Sequence, residues 1–270
     1  MYFTVNGHKT YCYTGGKAFD AAKPTALFIH GVLNDHSVWI LQTRYFAHHG
    51  WNVLALDLPG HCKSEGLAPA SVEDAARFVV ALLDAAGIKK AALIGHSFGS
   101  LIALEVAGSA PDRVSQLVMV GTAVPMKVTP ALLEMSLNHP LKAIDMVNVF
   151  SHSMLAPPPS ALGPGTWLHG SSKALMRRVL RSNTTTNLFH TGFTACNNYV
   201  GGDAAMLRTN CEVLFLLGRN DQMTLPRMAQ GIVKQAKNGK TVTVEAGHQL
   251  MTEAPDAVLF ALNDFLRPER

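Results

Sequence analysis

Gly95-His96-Ser97-Phe98-Gly99 decides the fold. The apolar run Ala91-Ala92-Leu93-Ile94 precedes it and the helical pattern Leu101-Ile102-Ala103-Leu104-Glu105-Val106-Ala107 follows it. That pattern predicts a strand, a very tight turn and a helix, with a serine at the apex. Glycine on either side lets strand and helix approach without a Cβ clash. The apex residue is strained and projects free of both elements, so a serine there becomes a nucleophile if a base reaches it.

A serine hydroxyl needs a general base, usually a histidine oriented by a carboxylate. Downstream, Leu214-Phe215-Leu216-Leu217-Gly218 reads as a buried strand, with Arg219-Asn220-Asp221-Gln222 just beyond it. Thr241-Val242-Thr243-Val244 reads as another strand and is followed by Glu245-Ala246-Gly247-His248. Ser97, Asp221 and His248 therefore each fall where a strand hands over to a loop, and they are the expected nucleophile, acid and base. Glu253 and Asp256 are more distant alternatives for the acid.

Acyl transfer also needs donors for a developing oxyanion, and preorganised backbone N–H groups supply roughly 3–4 kcal/mol each. Phe98, the residue after the nucleophile, offers one. The second is assigned to Val32, in the loop that follows the apolar strand Thr25-Ala26-Leu27-Phe28-Ile29. His30, in the same loop, is read as a loop organiser acting through side-chain hydrogen bonds.

These motifs together resemble the α/β-hydrolase superfamily, in the group of small cap-domain esterases and related hydrolases. The matching segments are His30-Gly31, Asp57-Leu58-Pro59-Gly60-His61, the Ser97 pentapeptide, Gly218-Arg219-Asn220-Asp221 and Gly247-His248-Gln249-Leu250-Met251-Thr252-Glu253-Ala254-Pro255. The chain order Ser…Asp…His is also that of this superfamily and differs from those of chymotrypsin and subtilisin. Two positions depart from the pattern: Cys62 and Ser100 stand where the family often has glycine. Neither removes a catalytic group. The resemblance implies a mostly parallel, doubly wound α/β sheet with helices on both faces and an inserted, mainly helical lid.

The rest of the chain is consistent with that plan. Tyr2–Val5 and Thr10–Tyr13 read as a hairpin around Asn6-Gly7. Asn52–Leu56 and Val114–Val120 read as strands, and residues 72–86 as a helix with Ser71 as N-cap and Gly87 past its end. Alternating strands and helices imply a parallel sheet with ligands bound outside its carboxyl ends. The alternation breaks between Thr122 and Leu207. The expected organisation is a core of residues 1–121 and 208–270, with residues 122–207 as a lid that covers the strand ends without supplying a catalytic group.

That segment holds Pro157-Pro158-Pro159, Gly163-Pro164-Gly165 and helical stretches such as Ala131–Leu137 and Lys173–Leu180. It also holds six of the eleven methionines: Met126, Met135, Met146, Met154, Met176 and Met206. Methionine is flexible and polarizable and suits an adaptable apolar wall, though it equally fills a small core. Lys173, Arg177 and Arg181 share one helix face, read as solvated.

Composition bounds the function. A chain of 270 residues, 48% hydrophobic, fits one large α/β domain with an insertion. A formal charge of +4 without a reading module argues against nucleic acid. No signal peptide or membrane span is evident. The four cysteines and the scattered histidines lack metal-ligand spacing, so a cytoplasmic protein with reduced thiols, no metal and no cofactor is expected.

The expected function is cleavage of a small, mostly apolar carboxylic ester through an acyl-enzyme. The enzymatic alternatives are a carbon–carbon bond hydrolase of dienoate ketones, a lactonase or a thioesterase. Dehalogenases and epoxide hydrolases of the superfamily place aspartate at the elbow, so Ser97 disfavours both. A small-molecule receptor retaining the fold is the non-enzymatic alternative.

Overall fold

The computed structural model describes residues 1–20, 22–153 and 167–267. Met154 and the two proline-rich stretches quoted above lie outside the described residues. Among the described residues eight strands form one sheet: β1 (Tyr2–Val5), β2 (His8–Tyr13), β3 (Thr25–Ile29), β4 (Asn52–Leu56), β5 (Ala91–His96), β6 (Val114–Val120), β7 (Glu212–Gly218) and β8 (Gly239–Val244). Their spatial order is β1-β2-β4-β3-β5-β6-β7-β8. The pairs β1–β2 and β2–β4 are antiparallel, and the others are parallel. The hairpin turns where expected, with Asn6 and Gly7 both at positive φ, as a two-residue hairpin turn requires.

The central strands are buried on both faces, and their side chains alternate between two cores, as the period of two demands. Leu27, Ile29, Leu93, Leu117, Met119 and Phe215 pack on the face covered by α2 (Val72–Ala85) and α3 (Phe98–Ser109). Ala26, Phe28, Ile94, Val118 and Leu214 face the other way, where α1 (Ile40–His48) and the C-terminal helix Pro255–Phe265 close the layer. Ser71 caps α2 by accepting the N–H of Asp74 at 3.0 Å.

From β3 the chain steps outward to β4, then returns to place β5 on the other side of β3. That reversal opens a crevice at the carboxyl ends of β3 and β5, where ligands bind in open α/β sheets. Ile29 is in register with Gly95, so the His30 loop and the Ser97 turn emerge side by side.

Among the described residues five helices lie between β6 and β7: α4 (Pro130–Asn138), α5 (Pro140–Ser151), α6 (Leu168–Ser182), α7 (Leu188–Asn198) and α8 (Gly202–Arg208). α4 to α7 share a third apolar cluster that includes Ile144, Val147, Met176, Val179, Phe189 and Phe193, while Ala205 and Met206 of α8 pack in the core under α3. α8 crosses the boundary drawn at 207/208, and its Ala205 packs against Gly108 of α3. The C-terminal end of α6 is tied to the core. Arg178 pairs with Asp35 at 2.5 Å, Ser182 Oγ accepts the N–H of Cys62 at 3.0 Å, and Asn183 donates to the carbonyl of Gly60 at 3.1 Å. The basic face of α6 is in part paired, since Lys173 and Arg177 both reach Asp145.

Candidate active site

β5 delivers Ser97 at φ +53° and ψ −118°, a conformation that a residue with a Cβ holds only when its surroundings over-determine it. They do so here. The Ser97 N–H donates to Val120 at 2.9 Å, and its carbonyl accepts the hydroxyl of Ser100 at 2.6 Å. The same Ser100 hydroxyl lies 2.8 Å from Thr122 Oγ1, so the departure from glycine at this position adds a brace. Gly95 and Gly99 are obligatory, because a Cβ on Gly95 would collide with the backbone of Gly99, and one on Gly99 with the backbone of Ile29. The other departure has a cost, since Cys62 is held at φ +45°, a conformation that glycine adopts without strain.

The His30 loop is built as expected. His30 Nδ1 donates to the carbonyl of Gly31 at 2.9 Å, and Nε2 accepts the N–H of Leu58 at 3.1 Å. Burial pushes the pKa of His30 down, and that of neighbouring His61 to about 4, so both are neutral structural rings. Val32 follows this loop and, like Ser97, lines the main cavity. Phe98 is buried at the start of α3, where helix N–H groups lack intrahelical partners.

His248 Nδ1 lies 2.8 Å from Asp221 Oδ2. Asp221 also accepts from the N–H groups of Met223 and Thr224, each at 2.8 Å, and from the Thr224 hydroxyl at 2.7 Å. Burial alone pushes the Asp221 carboxyl up. The His248 imidazole and the donors of Thr224 outweigh it and hold the group below its ordinary value of 3.8. Thr224 Oγ1 is also 3.2 Å from His248 Nδ1, so one hydroxyl touches both members of the pair. The backbone of His248 is fixed as well, because its carbonyl accepts from His96 Nε2 at 2.8 Å.

Ser97 and His248 line one cavity of about 340 Å³ with Val32, Met126, Met146, Phe150 and Phe193. Its volume and apolar lining suit a small organic ligand. Of the sequence-read methionines, Met126 and Met146 line this cavity and Met176 a smaller adjoining one. Met135 does not line it and packs against the third apolar cluster, while Met206 is buried beneath α3. Met223, Thr224 and Ser151 were not singled out from sequence, since no motif marks a residue brought in by tertiary packing. Glu253 lies away from the imidazole and accepts from Gly247 N–H and from the N–H and hydroxyl of Ser153.

Asp35, His36 and Asp57 form the one group of potential metal ligands among the described residues. Their oxygens are already engaged. Asp57 accepts from His36 N–H and Nδ1 and from Lys63 N–H, and Asp35 from Ser37, Cys62 and Arg178. The cluster braces loops.

Residues 24–255 match the family model described as the alpha/beta hydrolase fold. The chain belongs to the α/β-hydrolase family. This α/β hydrolase is 27% identical over 249 residues to the (E)-2-((N-methylformamido)methylene)succinate hydrolase of Acinetobacter baylyi, covering 89% of each chain. Over 98 residues it is 39% identical to the dihydrolipoyllysine-residue acetyltransferase component of the acetoin cleaving system of Pseudomonas putida, spanning 26% of that protein's length. Among solved structures it is similar to the enol-lactonase of Burkholderia xenovorans, with a TM-score of 0.83, 20% identity and coverage of 98% and 99% of the two chains. An esterase of Exiguobacterium antarcticum superposes with a TM-score of 0.81 at 16% identity, covering 98% of each chain. At these identities the likeness speaks for the fold. Among the described residues, no helix is long and apolar enough to cross a membrane.

Proposed function

We propose that this α/β hydrolase is a serine hydrolase cleaving a small, mostly apolar and uncharged carboxylic ester through an acyl-enzyme. The observation that carries the reading is the 2.8 Å contact between His248 and Asp221, with His248 and Ser97 on the wall of one apolar cavity. Ser97 Oγ attacks the acyl carbon and His248 takes its proton. Asp221 holds the imidazole and stabilises its positive charge. The N–H groups of Val32 and Phe98 hold the oxyanion. The alcohol leaves with the proton from His248, and water then releases the acid and restores Ser97. No step calls on a cofactor. Residues 122–207 act as the lid.

The lining favours an ester over a dienoate ketone bearing a free carboxylate. Among the cavity's described lining residues the one cation is Lys127, whose ammonium already donates to the carbonyl of Asn197 at 2.7 Å. A free carboxylate would have Lys127 as its one cationic partner in an otherwise mostly apolar lining, whereas an uncharged ester enters without that desolvation cost.

A fluorophosphonate probe should label the protein and leave Ser97→Ala unlabelled, and the wild type should turn over a p-nitrophenyl ester many times. Equal labelling of the alanine variant would identify another nucleophile. Stoichiometric binding without repeated turnover would favour the receptor reading.

A further inference from the structure

A second chamber of about 30 Å³ also touches Ser97 and His248. Part of its wall is polar, formed by Asn34, His96, Ser151 and Gln249. Two of these residues carry buried polar atoms that no group among the described residues satisfies: His96 Nδ1 and Ser151 Oγ. Each residue is 1% exposed. His96 Nε2 faces a carbonyl oxygen, which only accepts, so the ring's proton is on Nε2 and Nδ1 presents a lone pair. Ser151 Oγ can donate and accept. Such a pair is complementary to a small molecule that both donates and accepts. A water needs about 10–15 Å³ of such space and two to four polar partners, so the chamber has room for a water or two and little more. No described lining residue is an acid, a lysine or an arginine, which fits a neutral occupant.

We propose that this chamber is a built water site, held by His96 Nδ1 and Ser151 Oγ, which supplies the water consumed in deacylation. It rests on the acyl-enzyme reading above. In that step the water oxygen bonds to the acyl carbon and His248 takes one of its protons. The bond from the acyl carbon to Ser97 Oγ then breaks, Ser97 recovers its proton from His248, and the acid leaves. His96 and Ser151 act before the attack, by keeping a water beside the base while the acyl group and the departing alcohol occupy the apolar cavity.

The test uses p-nitrophenyl acetate and intact-protein mass spectrometry of rapidly quenched samples, which count the acetyl adduct on Ser97 and follow its decay. Ser151→Val fills the chamber and removes its hydroxyl. Decay of the acetyl-enzyme should slow by about tenfold, the factor that one lost hydrogen bond carries, while kcat/KM, which reports acylation, falls far less. Ser151→Ala, which removes the hydroxyl without adding bulk, should slow decay in the same direction. Decay at the wild-type rate in both variants, or decay and kcat/KM falling by the same factor, would overturn the water site. An acetyl adduct that never forms on Ser97, with turnover surviving in Ser97→Ala, would instead overturn the serine-hydrolase reading and the water site with it.

Discussion

The carbonyl oxygen of Ser151 accepts the backbone N–H of His248 at 2.8 Å, and that of Gln249 at 3.1 Å. Ser151 ends α5, within the segment expected to cover the site without taking part in it. That segment holds the proposed base in place through its backbone. Gly247 allows the contact, because a Cβ there would meet Ser151, His152 and Ser153 at under 3 Å. Glu253 closes the joint by accepting from Gly247 N–H at 3.0 Å and from Ser153 N–H at 2.8 Å.

Glu253→Ala should therefore act on both stability and turnover. Hydrogen bonds to a charged acceptor contribute about 1.5–3 kcal/mol each when lost. With partial exposure of the joint, a loss on the order of 2 kcal/mol and a melting temperature lower by about 4–8 °C are expected. Turnover of a p-nitrophenyl ester should fall through kcat with KM little changed, because the base loses its anchor and the apolar cavity does not. Thermal melts and steady-state kinetics on one preparation check both. An unchanged kcat alongside a lowered Tm would make the joint structural only.

Asp221→Asn should leave the fold intact and lower kcat by up to ~10⁴-fold. The amide oxygen can still accept from Met223 and Thr224. Its NH₂ group would then face His248 Nδ1, where two donors cannot meet, and the imidazole would adopt the other tautomer. Near-normal activity in this variant would mean that another carboxylate orients the base. The position of Glu253, away from the ring, argues against it as that group.

Much of this arrangement was legible in the sequence, for a physical reason. A strand buried on both faces must be a continuous apolar run between turn residues, so Thr25–Ile29, Asn52–Leu56 and Val114–Val120 have the bounds read from the pattern. Ser97 follows β5 directly, while Asp221 and His248 stand three and four residues beyond the ends of β7 and the mostly exposed β8, so the reading of these three as a site rests on loop positions after strands. The methionines were harder. Composition identifies an apolar wall but not which side chains reach the cavity, and Met135 points into the helices' own core. Ser151, Asn34 and Gln249 come together through packing between segments about a hundred residues apart, and no local pattern encodes that.

Asp35 gives the molecule an acid-sensitive tie. Burial pushes its carboxyl up, but the hydroxyl and N–H of Ser37, with the charges of His36 and Arg178, bring it from 3.8 down to about 2. A carboxyl with a lowered folded pKa contributes stability that is complete above its ordinary value and is lost as pH falls through the folded one. The contribution is on the order of 2 kcal/mol, lost between about pH 4 and pH 2. Asp35→Asn should be less stable than wild type near neutrality, and the gap should close in that window. Urea titrations at stepped pH measure it, and a gap constant down to pH 2 would show that the ties of the Asp35 carboxylate to Ser37, His36 and Arg178 contribute nothing.

Substrate choice should reside in α4, α5 and α7, whose side chains wall the main cavity. Met146 is the informative position, because it lines the cavity yet is 37% exposed, so a larger side chain there can be accommodated without disturbing the sheet. Met146→Trp narrows the chamber without changing Ser97, His248 or Val32. Acetate esters should still reach the serine, while longer acyl chains lose contact area or clash. Pocket changes of this size alter discrimination by about 1–3 kcal/mol, so kcat/KM for octanoate relative to acetate should fall by roughly ten- to a hundredfold, in graded steps through butyrate and hexanoate. Met135→Trp provides the contrast: Met135 packs among the helices, so its enlargement should lower stability and leave the chain-length profile in place. A uniform loss over all esters in Met146→Trp would move specificity to the loops at Asn34–Val38 or Thr224–Met228.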